Sequence, residues 1–283
     1  MKIGDVAVGD GDSALLHVRE VGQGLGRGGA EARESGLSGK GVEQGVAVEV
    51  GELAGYCDAD RARAFDAELS WYAALLGEVR DREVQRARFT KAVAAVPEEL
   101  VLGPVAARIE QHLLAEQLQH QAALDKALNG RRYLALLRES ARWVTDPPFT
   151  DLAAGRATEL RGPVRAAAKK VTKHLAAGLG PHGNDEELHK ARKAGKRARC
   201  AAELTHPVLG KKTKKTIKEY QALQDILGEH QDGVVAADLL HRLAAGTAGH
   251  SDENGFTYGV LYAQEMSRAE HSRRQAEAWG GKR

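Results

Sequence analysis

The stretch LHKARKAGKRARCAAEL, residues 188–204, gathers six Lys and Arg residues and one histidine around a single acid, Glu203. At about 100° per residue, His189, Arg192, Lys193 and Lys196 fall at i, i+3, i+4 and i+7, forming one stripe flanked by Arg197 and Arg199. Ala191, Ala194, Ala198, Ala201 and Ala202 lie opposite, small enough for a neighbouring helix to approach closely. Asp185 reads as the N-cap, with Glu186 and Glu187 in the first turn, where the helix dipole favours acids. Cys200 projects onto the basic side, where cations would lower its pKa and make it reactive; a packed structural thiol is the alternative.

The neighbouring segments repeat the device. Arg165, Lys169 and Lys173 share a face at i, i+4 and i+8, with Val164, Val171 and Leu175 to one side. Lys211, Lys214, Lys215 and Lys218 share another, with Ile217, Tyr220 and Leu227 turned away. Residues 161–218 hold 16 Lys and Arg against 4 Asp and Glu, or 16 − 4 = +12, inside a chain whose net charge is only +2. Soluble helices interleave both signs. Faces without acidic partners repel themselves unless an anion relieves them, so a polyanion seat is preferred over three solvated faces. The same residues contain no Phe, Tyr or Trp on which bases could stack, and no phosphate-cradling Gly loop. The ligand implied is all phosphate and no base.

Outward from this segment the chain reads as helix after helix. Helical periods cover about 60–93, 104–128, 131–143, 163–178, 211–245 and 256–279, punctuated at Pro97, Gly103-Pro104, Asn129-Gly130 and the linker TDPPFTD, residues 145–151. Residues 1–56 differ. They carry 14 of the 32 glycines, no proline and no sustained period, and read as poorly ordered with strand-like pieces around VEQGVAVEV, residues 42–50. Two cysteines imply no disulfide framework, and there is neither a membrane-spanning run nor a signal-peptide pattern, so a cytoplasmic address is expected.

An internal repeat adds a constraint. Leu76-Gly77-Glu78-x-x-Asp81 recurs as Leu227-Gly228-Glu229-x-x-Asp232, an offset of 228 − 77 = 151 residues. A period that long implies two related halves rather than a solenoid.

The basic helix with His189, Arg192, Lys196-Arg197 and Arg199, followed by the Leu-Gly-x-x-Arg-Asp element, resembles the CHAD family, the conserved-histidine α-helical domains. The element is complete at Leu76–Asp81, while Gln231 stands in place of its arginine in the second copy. The resemblance covers roughly residues 60–283. It implies an all-α fold of two pseudo-symmetric helical-bundle halves around a basic central cavity, binding inorganic polyphosphate. The expected divisions are an atypical segment 1–56, an incomplete first half 57–150 and a second half 151–283 carrying the basic helix. By the same offset a first histidine helix belongs near residue 38, but SGKGVEQGVAV at 38–48 has neither histidine nor arginine. Either the first half is degenerate or residues 1–56 come from a wrong start or a shifted frame, and a core from about residue 58 that lacks this helix is expected to expose an apolar groove beside Phe65, Leu69 and Leu76.

The expected polyphosphate ligands are His189, Arg192, Lys193, Lys196, Arg197, Arg199, Arg165, Lys169, Lys173, Lys211, Lys214, Lys215 and Lys218. His112, Glu116 and His120 share a face at i, i+4 and i+8, but one helical stripe makes a poor coordination shell, and no metal or cofactor is expected. No nucleophile–base–orienter set or Mg²⁺-binding carboxylate cluster is visible. The reading is therefore a non-enzymatic polyphosphate binder, cytoplasmic and associated with polyphosphate granules, with no specific protein partner. An accessory or remnant of a CYTH-type triphosphate or polyphosphate hydrolase, and a nonspecific nucleic-acid binder, are the alternatives.

Overall fold

The computed structural model describes residues 55–246 and 255–281, so the expectations for residues 1–54 lie outside it. The fold is all-α. Its helices are α1 (Ala59–Ala94), α2 (Val105–Leu128), α3 (Arg131–Thr145), α4 (Arg161–Leu179), α5 (Asp185–Leu204), α6 (His206–Leu209), α7 (Lys211–Gly246) and α8 (Phe256–Gly280). Short 3₁₀ turns occupy Glu98–Leu100, Asp151–Ala154 and Ala157–Leu160. Among the described residues there is no strand, only an isolated antiparallel bridge between Cys57 and Phe149.

Local chemistry sets the boundaries. The Asp58 carboxylate accepts from the Arg61 amide at 2.9 Å and caps α1. Gly103, at φ 81°, takes the left-handed turn that brings Pro104 to the start of α2. The cap of α5 differs from the one expected. Asn184 Oδ1 accepts from the Glu187 amide at 2.9 Å, so Asn184 is the N-cap. Asp185 instead points its carboxylate at His230 Nε2, 3.0 Å away. The repeat extends to helix lengths: α1 and α7 each have 36 residues, and α2 and α8 have 24 and 25. Both Leu-Gly-Glu elements fall midway along their 36-residue helices.

The described chain packs as two compact units, and α1, α2, α4, α5 and α7 contribute a stretch to each. The first unit takes residues 55–75, 125–173 and 193–222. Phe65 stacks on Trp143 with ring centroids 4.9 Å apart, and Tyr72 meets Tyr133 at 5.3 Å. Phe65 and Leu69 are each only 2% exposed, and a largely apolar cleft lies beside Phe65, lined also by Ala64, Ala135 and Leu136 and edged by Arg61, Arg138 and Arg142. The alanine face of α5 is buried, as its small side chains suggested, with Ala198 and Ala202 at 0%.

The second unit takes residues 76–124, 174–192, 223–246 and 255–281. Phe89, Ile109, Leu113, Leu240, Tyr258 and Leu261 centre its apolar core. Burying a side chain of this size stabilises by about 1.5–3 kcal/mol. Close packing also fixes Gly178, where a Cβ would come within 2.7 Å of Leu188 Cδ2. One charge is inside: Glu265 is wholly buried and bonded by Arg88 and Arg268.

Candidate anion-binding site

The sequence concentrates cations along one segment, and the fold concentrates them in one unit. The described residues of the first unit hold 22 Lys and Arg against 11 Asp and Glu, a surplus of +11. Those of the second hold 12 against 17, a deficit of −5. Eleven of the thirteen expected ligands belong to the first unit; His189 and Arg192, on the preceding turns of α5, belong to the second.

The first unit draws its rows from three helices. On α5, Lys193 and Arg197 are exposed, while Lys196 and Arg199 are half-buried. Arg165, Lys169 and Lys173 on α4 are exposed, as are Lys211, Lys214, Lys215 and Lys218 on α7. Two contacts bring elements together. Arg199 Nη1 donates to Gln221 Oε1 at 2.6 Å, and Gln221 continues the face of Lys214 and Lys218 at i+7 and i+3. The row on α5 therefore meets the row on α7. Helix α6 packs against the turn Ala157–Leu160, and these two pieces lead directly into α7 and α4. The starts of α4 and α7 are thus neighbours, and both present the positive end of a helix dipole beside Arg165 and Lys211.

The entry to α7 is held by a small polar knot. The chain turns at Gly210 with φ 63°, a left-handed conformation suited to glycine. Thr213 Oγ1 donates to the Gly210 carbonyl at 2.7 Å and accepts from His206 Nδ1, also at 2.7 Å.

The acids near the stripe are engaged elsewhere. Lys190 takes Glu186 and Glu187 at 2.9 and 2.8 Å, His174 takes Glu187 at 2.9 Å, and His230 takes Asp185. Lys190, hydrogen-bonded by Glu187 and Glu186, has its pKa pushed up to about 12. Among the described residues, Arg165, Lys169, Lys173, Lys193, Lys211, Lys214 and Lys218 make no ion pair. The rows do not wholly lack acids, however. Glu203 lies 3.8 Å from Arg199 and Glu219 lies 3.8 Å from Lys215, each one turn along the helix. Burial raises the Asp66 pKa, and the nearby Arg197 guanidinium opposes that rise.

In the second unit, His189 and Arg192 are half-buried. The Arg192 guanidinium lies over the glycine of the repeated element, its Nε 3.6 Å from where a Cβ of Gly228 would sit. Leu-Gly is thus a platform for the arginine of the histidine helix, a side chain larger than alanine there displacing it. Of the two readings of Cys200, the structure bears out the packed thiol, which is only 1% exposed. His112 and His120 approach Glu116 and Glu78 at 3.4 and 3.6 Å, and Arg82 bridges those two carboxylates, an ion-pair cluster in which a cation already occupies the centre.

A CHAD domain family model matches residues 52–241, about two thirds of the chain. The chain belongs to the CHAD family. Polyphosphate binding is associated with that family. Uncharacterized proteins from two strains of Mycobacterium tuberculosis are 35% identical over 224 residues, covering 75% of this chain. The chain spans only 40% of the length of those relatives. Among solved structures, PptA from Streptomyces chartreusis superposes with a TM-score of 0.80 at 18% identity, covering 100% of both chains. The CHAD domain from the plant Ricinus communis superposes with a TM-score of 0.65 at 24% identity, covering 93% of this chain and 88% of its own. These likenesses concern the fold. Among the described residues, no helix is long and apolar enough to cross a membrane.

Proposed function

We propose that this CHAD domain binds inorganic polyphosphate without catalysing its breakdown, through the cationic rows of the first unit. Lys193, Lys196, Arg197 and Arg199 on α5, Arg165, Lys169 and Lys173 on α4, and Lys211, Lys214, Lys215 and Lys218 on α7 supply the contacts. His189 and Arg192 continue the same helix face. The observation that carries this reading is the unit's +11 surplus, with seven of its row cations free of ion pairs among the described residues. A flexible polyanion neutralises such rows without needing a shaped pocket. The absence of aromatic side chains from residues 161–218 favours a ligand without bases over single-stranded nucleic acid. Two halves about a basic cavity, and a cytoplasmic place at polyphosphate granules, belong to this proposal.

A second reading has one observation behind it: the chain corresponds to 40% of its curated relatives, which suits an accessory module of a longer phosphohydrolase. One experiment separates the readings. Long-chain polyphosphate and single-stranded DNA compete for the protein at matched phosphate concentration while orthophosphate is assayed. The binding reading expects polyphosphate to displace DNA at least about tenfold more effectively, with no orthophosphate formed. Equal competition returns the site to nonspecific nucleic-acid binding, and released orthophosphate makes the chain a hydrolase.

A further inference from the structure

Outside the three rows, the first unit has one more concentration of positive charge, on α3. Arg131, Arg138 and Arg142 fall at i, i+7 and i+11, within about 20° of one line along the helix. Arg131 and Arg138 are exposed and make no ion pair among the described residues. Arg142 is 72% exposed, and its Nη1 reaches Glu139 at 3.4 Å, a carboxylate that also accepts from Arg61 and Trp143. The fourth arginine of the helix has another task. Arg132 lies over the Trp71 ring, 4.1 Å from its centroid, and donates to Glu68 at 2.7 Å, tying α3 to α1. Three guanidinium groups are left facing outward along about 16 Å of helix. Each can pair with two phosphate oxygens at once, which a lysine cannot.

We infer that this arginine strip is a second contact for the same phosphate chain, and that it makes the domain select long chains over short ones. The inference rests on the polyphosphate reading above. The described part of the first unit has 100 residues. A globule of that size has a radius of gyration of about 13 Å, hence a diameter near 35 Å. Phosphates spaced like those of a nucleic-acid strand, about 3.4 Å apart, reach across it in on the order of ten units. A shorter chain occupies the lysine rows or the arginine strip, one at a time. A longer one, held at the first, meets the second at high effective concentration and gains affinity without any new chemistry.

The test uses the whole protein at 0.15 M salt, where charges act over about 8 Å. Tripolyphosphate and a chain of about one hundred phosphates are titrated into the unaltered protein, the triple variant Arg131→Gln, Arg138→Gln, Arg142→Gln, and Arg138→Gln alone. Helicity is checked by circular dichroism. The expected result is a change below about twofold for tripolyphosphate and a loss of at least about tenfold for the long chain in the triple variant. Arg138→Gln alone loses an intermediate amount. Equal losses for both ligands mean a diffuse field and overturn the inference. Unchanged long-chain affinity overturns it too, while leaving the rows as the binding site. If the unaltered protein binds neither ligand, the polyphosphate reading itself falls.

Discussion

Changing Lys169, Lys193, Lys214 and Lys218 together to Glu lowers affinity for long-chain polyphosphate by at least about a hundredfold, roughly 2.7 kcal/mol or more. The four residues come from all three rows, are exposed, and make no ion pair among the described residues. Their replacement therefore removes no internal ion pair, and helicity should survive. Each reversal takes away a cation that would neutralise a phosphate and adds a repulsion. The dependence of log K on log salt should flatten by about 0.7 for each phosphate no longer neutralised. The proper comparison is a set of charge reversals in the second unit: Lys91, Arg242 and Arg274 to Glu, all exposed. Arg268 and Arg273 are unsuitable, because Arg268 bonds the buried Glu265 and Arg273 donates to the Gly178 carbonyl at 2.7 Å. The comparison set should cost less than about threefold, since none of its residues belongs to a cationic row. Equal losses per reversal would mean that net charge, and no particular rows, holds the ligand.

The second large effect is on stability. Replacing Arg88 by Ala should destabilise the protein by about 3–5 kcal/mol, because it strands a buried carboxylate. Glu265 is 0% exposed, and its Oε2 accepts from Arg88 Nε at 2.8 Å and from Nη2 at 2.5 Å. Arg88 also reaches Glu229 at 2.7 Å. Burial works against the charge on Arg88, but hydrogen bonds to Glu229 and Glu265 outweigh it and hold the guanidinium above its ordinary pKa range. Once Arg88 is gone, Arg268 alone faces Glu265, while Glu229 is 45% exposed and can turn to water. For a chain of this size the melting temperature should fall by roughly 6–20 °C. Adding Glu265→Leu to an Arg88→Leu background should recover much of the loss, because an apolar pair of similar volume carries no desolvation penalty. A single Arg88→Ala variant that melts with the parent would show that this network contributes nothing to the second unit.

What could be read in advance was whatever depends on period and composition. The bounds of α1, α2, α7 and α8 follow from apolar spacing and from Pro97, Pro104 and Asn129-Gly130, and the buried alanine face of α5 follows from angle alone. What depended on residues distant in sequence could not be read. Asp185 has the chemistry of an N-cap, but His230, 45 residues on, takes its carboxylate and leaves the cap to Asn184. Cys200 projects near Arg197 and Arg199 on a helical wheel, yet a one-residue step around the helix separates a buried thiol from a half-buried guanidinium. Glu265 falls on the buried stripe of α8, one turn from Leu261 and from Ala269, so its position was legible from the period; its main partner, Arg88, 177 residues away, was not. The sharing of long helices between two units is equally invisible, since apolar periodicity runs through Leu75-Leu76 and Ala222-Leu223 without a break. The arginines of α3 are legible in the sequence at i, i+7 and i+11.

The salt dependence of binding tests polyphosphate recognition most directly. Long-chain polyphosphate titrated into the protein at several salt concentrations should give a log K that falls linearly with log salt. With roughly five to eight phosphates neutralised, the slope should lie near −3.5 to −5.5. A slope near zero, or no binding at low salt, would contradict it.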